Sequence, residues 1–214
     1  MTIWFATGNI HKQRELSAIL EGHTLMIPSA AGIEGFNPPE AGATFLENAF
    51  SKARALRSLL GERGISGPVS ADDSGLCVEA LGGRPGIYSA RYTGKGPPGA
   101  RPLGDAERNR LLLEELGGSP DRRARFVCAM VLLLEGDRFG AVQETLEGEL
   151  VRDFSLAAGR NGFGYDPILF IPQYGCTAAE LPEEEKNRIS HRGRAGRAAA
   201  ALLAGLGDKV HAET

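Results

Sequence analysis

Two adjacent aspartates, Asp72 and Asp73, close the apolar run Val69-Ser70-Ala71 and lead into Ser74-Gly75. A carboxylate at the end of a buried strand is costly unless a cation or hydrogen-bond donors meet it. Successive strand residues face opposite ways, so only one of the pair need enter a given site. Such a carboxylate can hold Mg2+, which prefers oxygen ligands and neutralises a triphosphate. A neighbouring carboxylate can orient or deprotonate an attacking water. The same tetrapeptide also suits a turn held by side chain-to-backbone bonds. On these four residues alone the two readings stand level. Glu40 lies in a loop with no capping duty and is a further candidate metal ligand.

Cationic and aromatic residues at other points could meet the same substrate. In Thr7-Gly8-Asn9-Ile10-His11-Lys12 a strand ends in a glycine turn that opens a helix. Free amides at a helix start can hold an anion, with Lys12 and Arg14 adding positive charge. The segment is neither GxxxxGK[ST] nor GxGxxG, and taken alone it reads better as an ordinary strand-to-helix turn. Asn48 and Lys52 stand four apart and share a helix face. Phe163-Gly164-Tyr165-Asp166-Pro167 puts two aromatics in a glycine-rich loop, where one ring could stack on a nucleobase. Lys186, His191 and Arg192 fall near helix ends and could contact phosphate or base oxygens, although each alone is more often structural. His191 has no second His or Cys at zinc-ligand spacing, and no G-x-S-x-G elbow marks a serine hydrolase.

The elements that must position these residues follow from hydrophobic period and punctuation. Strands are expected at Ile3–Ala6, Leu25–Ile27 and Val69–Ala71, the last ending at the aspartates. Helices are expected from Lys12 to Leu20 and from Thr44 to Gly61, the second opened by the capping box Thr44-Phe45-Leu46-Glu47. A helix from Ala106 to Leu116 takes Asp105 as N-cap. Phe126–Leu134 reads as a central strand, followed by Phe139–Gln143, Leu146–Val151 and Ile168–Phe170. Two helices close the chain, one acidic after Pro182 and one alanine-rich after Gly193. Hairpins in the middle break strict βαβ alternation, so the fold class is α/β with a mixed twisted sheet flanked by helices, not a doubly wound parallel sheet.

Composition narrows the function classes. A chain of 214 residues with 42% hydrophobic and 24% charged residues suits one globular domain, or two closely packed lobes, without disulfide support. A formal charge of −3 gives no footing for general nucleic-acid binding. Cys77, Cys128 and Cys176 form no CxxC pair and suit reduced thiols in the cytoplasm. The N-terminus does not read as a signal peptide, and no segment reaches membrane-spanning length.

Together these segments resemble the inosine triphosphate pyrophosphatases, which remove ITP, dITP and XTP. The resemblance rests on TGNIHK (Thr7–Lys12), EAGATFLENAFSKA (Glu40–Ala53) and ADDSGLCVEALGGRPGIYSARY (Ala71–Tyr92). It continues through GFGYDPIL (Gly162–Leu169), TAAEL (Thr177–Leu181) and EKNRISHRGRA (Glu185–Ala195), in the family's order over nearly the whole chain. It implies a single domain, 1–214, of two lobes around a nucleotide-binding cleft, usually as a homodimer. It further implies Mg2+-dependent cleavage between the α and β phosphates, giving a nucleoside monophosphate and pyrophosphate. Carried over by position, Thr7, Gly8, Asn9, Ile10, His11, Lys12 and Lys52 would contact the triphosphate, and Ser74 would touch substrate. Asp73 would be general base or metal-bound carboxylate, with Asp72 and Glu40 supporting the metal. Phe163, Gly164, Tyr165 and Asp166 would enclose the base, and Lys186, His191 and Arg192 would complete base and phosphate recognition.

Donors such as His191 and Arg192 would favour a 6-keto purine over adenine, because an amino group would leave them unpaired. Guanine shares the 6-keto group, so this contact does not exclude GTP. The loop Thr93–Gly104 is richer in proline and glycine than the family pattern, and His11 takes no catalytic role. Two other readings share parts of this pattern: a nucleotide-binding module without catalysis, and a pyrophosphatase of modified pyrimidine triphosphates.

Overall fold

The structure is a computed structural model that describes residues 1–20, 22–94 and 103–210. Most of the loop Thr93–Gly104 (residues 95–102) therefore lies outside the described residues. Seven strands form one sheet in the order β2-β1-β3-β4-β5-β6-β7. They are β1 (Thr2–Phe5), β2 (Thr24–Met26), β3 (Val69–Val78), β4 (Arg123–Leu133), β5 (Phe139–Leu150), β6 (Leu169–Ile171) and β7 (Cys176–Thr177). The helices are α1 (Ile10–Ile19), α2 (Phe45–Gly61), α3 (Asp105–Leu116), α4 (Glu183–Ile189) and α5 (His191–Val210). β1 runs parallel to both β2 and β3, whereas β5–β6 and β6–β7 are antiparallel. The sheet is thus mixed, as the interrupted βαβ pattern predicts.

The chain divides into two compact units. The first comprises Met1–Asp73, Cys128–Glu144 and Ser190–Thr214; the second comprises Ser74–Val127 and Thr145–Ile189. In the first unit the strand period of two sorts side chains onto two helical layers. Trp4, Val69, Ala71, Val131 and Leu133 pack with Ala49, Ala53, Leu56 and Leu60 of α2. Ile3, Phe5, Cys128, Met130 and Leu132 pack instead with Leu16 of α1 and Ala195, Ala199 and Leu203 of α5. Gly196 lets α1 and α5 approach closely, since a Cβ there would lie 2.8 Å from Ile19 Cγ2. In the second unit Leu76, Val78, Leu112, Leu116, Phe126, Leu146, Ile168 and Leu169 form a separate core.

Three expectations change. β3 does not stop at the aspartates but continues to Val78, because Leu76-Cys77-Val78 remains buried strand. Asp72 and Asp73 therefore sit inside a strand, not in a turn. The two strands expected at Phe139–Gln143 and Leu146–Val151 are one long strand, β5, through Glu144-Thr145. Finally, Gly104 is the N-cap of α3 and Asp105 is its first helical residue, which releases the Asp105 side chain for other partners.

Candidate active site

The alternation of β3 decides where each aspartate goes. Val69 and Ala71 face α2, so Asp73 faces it too, while Asp72 takes the α1 and α5 side with Ser70. Asp73 meets two α2 side chains one helical turn apart. Asn48 Nδ2 donates to Asp73 Oδ2 at 3.0 Å, and Lys52 Nζ donates to Asp73 Oδ1 at 2.9 Å. Lys52 Nζ also donates to Glu40 Oε1 at 2.8 Å, so one ammonium bridges two carboxylates. Thr44 fixes the start of α2 by accepting from Glu47 N at 3.1 Å. Glu47 reaches back to Ala43 N, one residue earlier than the expected capping box. Gly42 donates its N–H to Asn48 Oδ1 at 2.9 Å, and a Cβ at Gly42 would fall 2.8 Å from that oxygen. Asn48 is thereby held at both ends of its amide. Burial pushes the Asp73 carboxyl up, with Glu40 adding to it, beyond what Lys52 and Asn48 recover. Burial opposes the charge on Lys52, but the surrounding carboxylates outweigh it and keep the lysine protonated.

Asp72 has a different environment. It is 1% exposed and receives Lys12 Nζ at 3.0 Å and Arg192 Nε at 3.3 Å. Arg192 also pairs with Glu15 of α1, giving the chain Glu15–Arg192–Asp72–Lys12. Burial would raise the Asp72 carboxyl, but Lys12, Arg192 and Lys52 hold it well below the usual carboxylate range. The Cys128 thiol lies 3.9 Å from Asp72 Oδ2 and is pushed up to about 12, by burial first and by Asp72 second. Asn9 caps α1, its Oδ1 accepting from His11 N at 2.9 Å and from Lys12 N at 3.3 Å. Thr7 Oγ1 accepts from Asn9 N at 3.0 Å, and Gly8 comes so near the next loop that a Cβ would sit 3.2 Å from Phe36 O.

In the second unit, Asp166 Oδ2 accepts from Phe163 N and from Lys186 Nζ, both at 2.8 Å. Lys186 Nζ also stands 5.8 Å from the centre of the Phe163 ring, a cation–π distance. Only glycine fits at 162, where φ is +94° and a Cβ would lie 2.1 Å from Asp166 Oδ2. Tyr165 turns inward, 4% exposed, and its hydroxyl donates to Ser89 O at 3.0 Å.

Chains of known type share this organisation. The Ham1 family model matches residues 3–202. The chain belongs to the Ham1 family. A dITP/XTP pyrophosphatase of Treponema denticola is 49% identical over 195 residues, covering 91% of this chain and 94% of the relative. One of Bordetella pertussis is 46% identical over 211 residues, covering 97% and 90%. Among solved structures, the Staphylococcus aureus Ham1 protein aligns with a TM-score of 0.80 at 37% identity, covering 96% of this chain and 99% of that one. A Coxiella burnetii HAM1 protein aligns at 0.81 and 36%, with the same coverage.

Within this family frame the expected site residues fall into groups. Glu40, Lys52 and Asp73 converge in the first unit. Asp72 does not join Glu40 and Asp73, because strand alternation sends it to Lys12 and Arg192. Among the described residues no three His, Cys, Asp or Glu side chains gather as a ready ligand set. Glu40 and Asp73 share the Lys52 ammonium, whereas Asp72 pairs with Lys12 and Arg192. Arg192, 3% exposed, pairs with Asp72 and Glu15. The α1 amides of His11 and Lys12 are already capped by Asn9, which leaves the Lys12 ammonium as that segment's main cationic group. Ile10 and His11 are exposed, His191 is buried at the start of α5, and Ser74 is a half-buried strand residue. Lys186 belongs to the second unit and His191 and Arg192 to the first.

Of the loop aromatics, Tyr165 is drawn into the core and only Phe163 keeps an accessible ring. Asn48, Glu15, Asp105 and Asn109 enter the geometry although none was among the expected site residues. Asn48 carried a usable signal, being a polar residue next to Ala49 and one turn before Lys52 on the buried side of α2.

Proposed function

We propose that this chain hydrolyses non-standard purine nucleoside triphosphates, dITP, ITP and XTP, to the monophosphate and pyrophosphate. The observation that carries the reading is the arrangement of Asp73 between Asn48 and Lys52, with Glu40 on the same ammonium, in a chain of the Ham1 family. Asp73 orients a water and takes its proton as the water oxygen bonds to the α-phosphorus. The bond from that phosphorus to the bridging oxygen breaks, and pyrophosphate leaves with the electron pair. Lys12 and Lys52 stabilise negative charge on the phosphates. The raised Asp73 carboxyl suits proton acceptance better than an ordinary surface aspartate would.

The donor set fits a hard divalent cation. Mg2+ is usually held by one or two carboxylates together with substrate phosphates, and Glu40 and Asp73 are two such carboxylates sharing one cation already. Bound there, Mg2+ would neutralise phosphate charge and polarise the phosphoryl oxygens. In the second unit Phe163 offers a ring face to the base, while Asp166 and Lys186 hold that loop in place. Three free cysteines accord with a reducing compartment, so the cytoplasm is the proposed site of action, and a homodimer the proposed assembly.

Rates on dITP, XTP, GTP, dUTP and methylated UTP, with and without Mg2+, test the assignment. Turnover should be greatest on dITP and XTP. Preference for a modified pyrimidine triphosphate would overturn it. Asp73→Asn should lower kcat by about 100- to 10,000-fold while leaving the circular dichroism spectrum unchanged. Undiminished turnover would remove Asp73 from its role.

A further inference from the structure

The loop that carries Phe163 is gripped from α3 at a single residue. Asp105 Oδ2 accepts from Gly164 N at 2.7 Å, and Asn109 Nδ2 donates to Gly164 O at 3.1 Å. Asp105 and Asn109 are four apart, on one face of α3, and they engage the two backbone polar groups of one glycine. Gly164 has φ of +65°, a left-handed conformation that most side chains resist, so its backbone needs outside partners to stay fixed. On the other side of the loop Asp166 holds Phe163 N, and Tyr165 is anchored through its hydroxyl to Ser89. The Phe163 ring is thus flanked on both sides by fixed backbone.

Each α3 residue has features that a simple helix surface would not require. Asp105 is exposed at the first position of α3, where a carboxylate would normally face water near the helix start. Its Oδ1 instead pairs with Arg108, and its Oδ2 accepts from a loop amide 59 residues away. Asn109 is 2% exposed, and its Oδ1 has no hydrogen-bond partner among the described residues while its amide nitrogen serves Gly164. A buried asparagine kept for stability alone would have both ends satisfied.

We infer that Asp105 and Asn109 of α3 are positioning residues for base recognition, holding Gly164 so that the Phe163 ring meets a purine base in one orientation. Both act through the Gly164 backbone, so they govern how tightly and how selectively the base is held, not the chemical step. The inference rests on the reading of the Phe163 loop as the base-binding loop.

The test compares Asp105→Ala, Asn109→Ala and Asp105→Asn with the unmodified enzyme and with Phe163→Ala. For each, kcat and KM are measured on ITP and GTP, together with inhibition by inorganic tripolyphosphate, which has no base. The two alanine variants should raise KM for ITP about tenfold, the scale of one lost hydrogen bond, with kcat within about twofold. Their preference for ITP over GTP should shrink, while tripolyphosphate inhibits as before. Asp105→Asn keeps an acceptor for Gly164 N and should behave like the unmodified enzyme. Asp105 is exposed, so Asp105→Ala keeps the fold and gives a clean result even if Asn109→Ala is unstable. An unchanged ITP-to-GTP preference in Asp105→Ala would overturn the inference, as would a parallel loss of tripolyphosphate inhibition. If Phe163→Ala also leaves KM for ITP unchanged, it is the base-loop reading that fails; if Phe163→Ala raises KM and Asp105→Ala does not, only the positioning role fails.

Discussion

Asp72 and Asp73 are neighbours in sequence with different surroundings. Asp73 shares one lysine with Glu40 and has its carboxyl raised by burial, which suits a proton acceptor. Asp72 is enclosed by Lys12 and Arg192 and held ionised, which suits an anchor for two cations. Because its pKa is depressed in the folded chain, Asp72 contributes stability above the unfolded carboxylate value. That contribution is lost as pH falls from about 4 toward the lower folded value. Asp72→Asn should therefore cost about 3–5 kcal/mol at neutral pH, since it leaves Lys12 and Arg192 without their buried counter-charge. The variant should also lose less stability than the unmodified chain on acidification below about pH 4. Urea unfolding at neutral and acid pH checks both, and equal acid sensitivity in the two proteins would count against the assignment. The adjacent pair was visible in the sequence as a candidate site. The partners of each aspartate were not, because they depend on which helix each side of β3 meets.

At the scale of elements, α2 is the part that brings the site together. Its apolar side, Ala49, Ala53, Leu56 and Leu60, packs beneath β1, β3 and β4, while Asn48 and Lys52 look toward Asp73. Leu56 is fully buried, so Leu56→Ala should destabilise the fold by about 2–5 kcal/mol. Thermal unfolding measures this directly, and a change well below that range would mean that α2 is not anchored as described.

The capping pattern at Thr44 and the apolar period made this helix legible in advance. β3 was harder to read: Asp-Asp-Ser-Gly has turn chemistry locally, and only its place in the middle of a sheet keeps it extended. Likewise Glu144-Thr145 looked like a break, yet pairing carries β5 through it. The two-residue strand β7 is too short for any period to announce. Arg192 was recognised as important from its motif, but a motif does not say that its guanidinium is already spent on Glu15 and Asp72.

At the scale of the whole molecule, the proposed function requires a divalent cation. Removing divalent cations with a chelator should abolish turnover while leaving the fold intact, since the cores of both units are built from apolar side chains. Full turnover after chelation would contradict the proposed cation site at Glu40 and Asp73. Family membership over residues 3–202 makes a triphosphate pyrophosphatase the natural reading, but the bond broken is a claim about Asp73 and its water. Hydrolysis of ITP in oxygen-18 water, with the products resolved by phosphorus NMR, tests that claim most directly. Attack at the α-phosphorus predicts labelled IMP and unlabelled pyrophosphate. Label in the pyrophosphate, or orthophosphate as the first product, would contradict it.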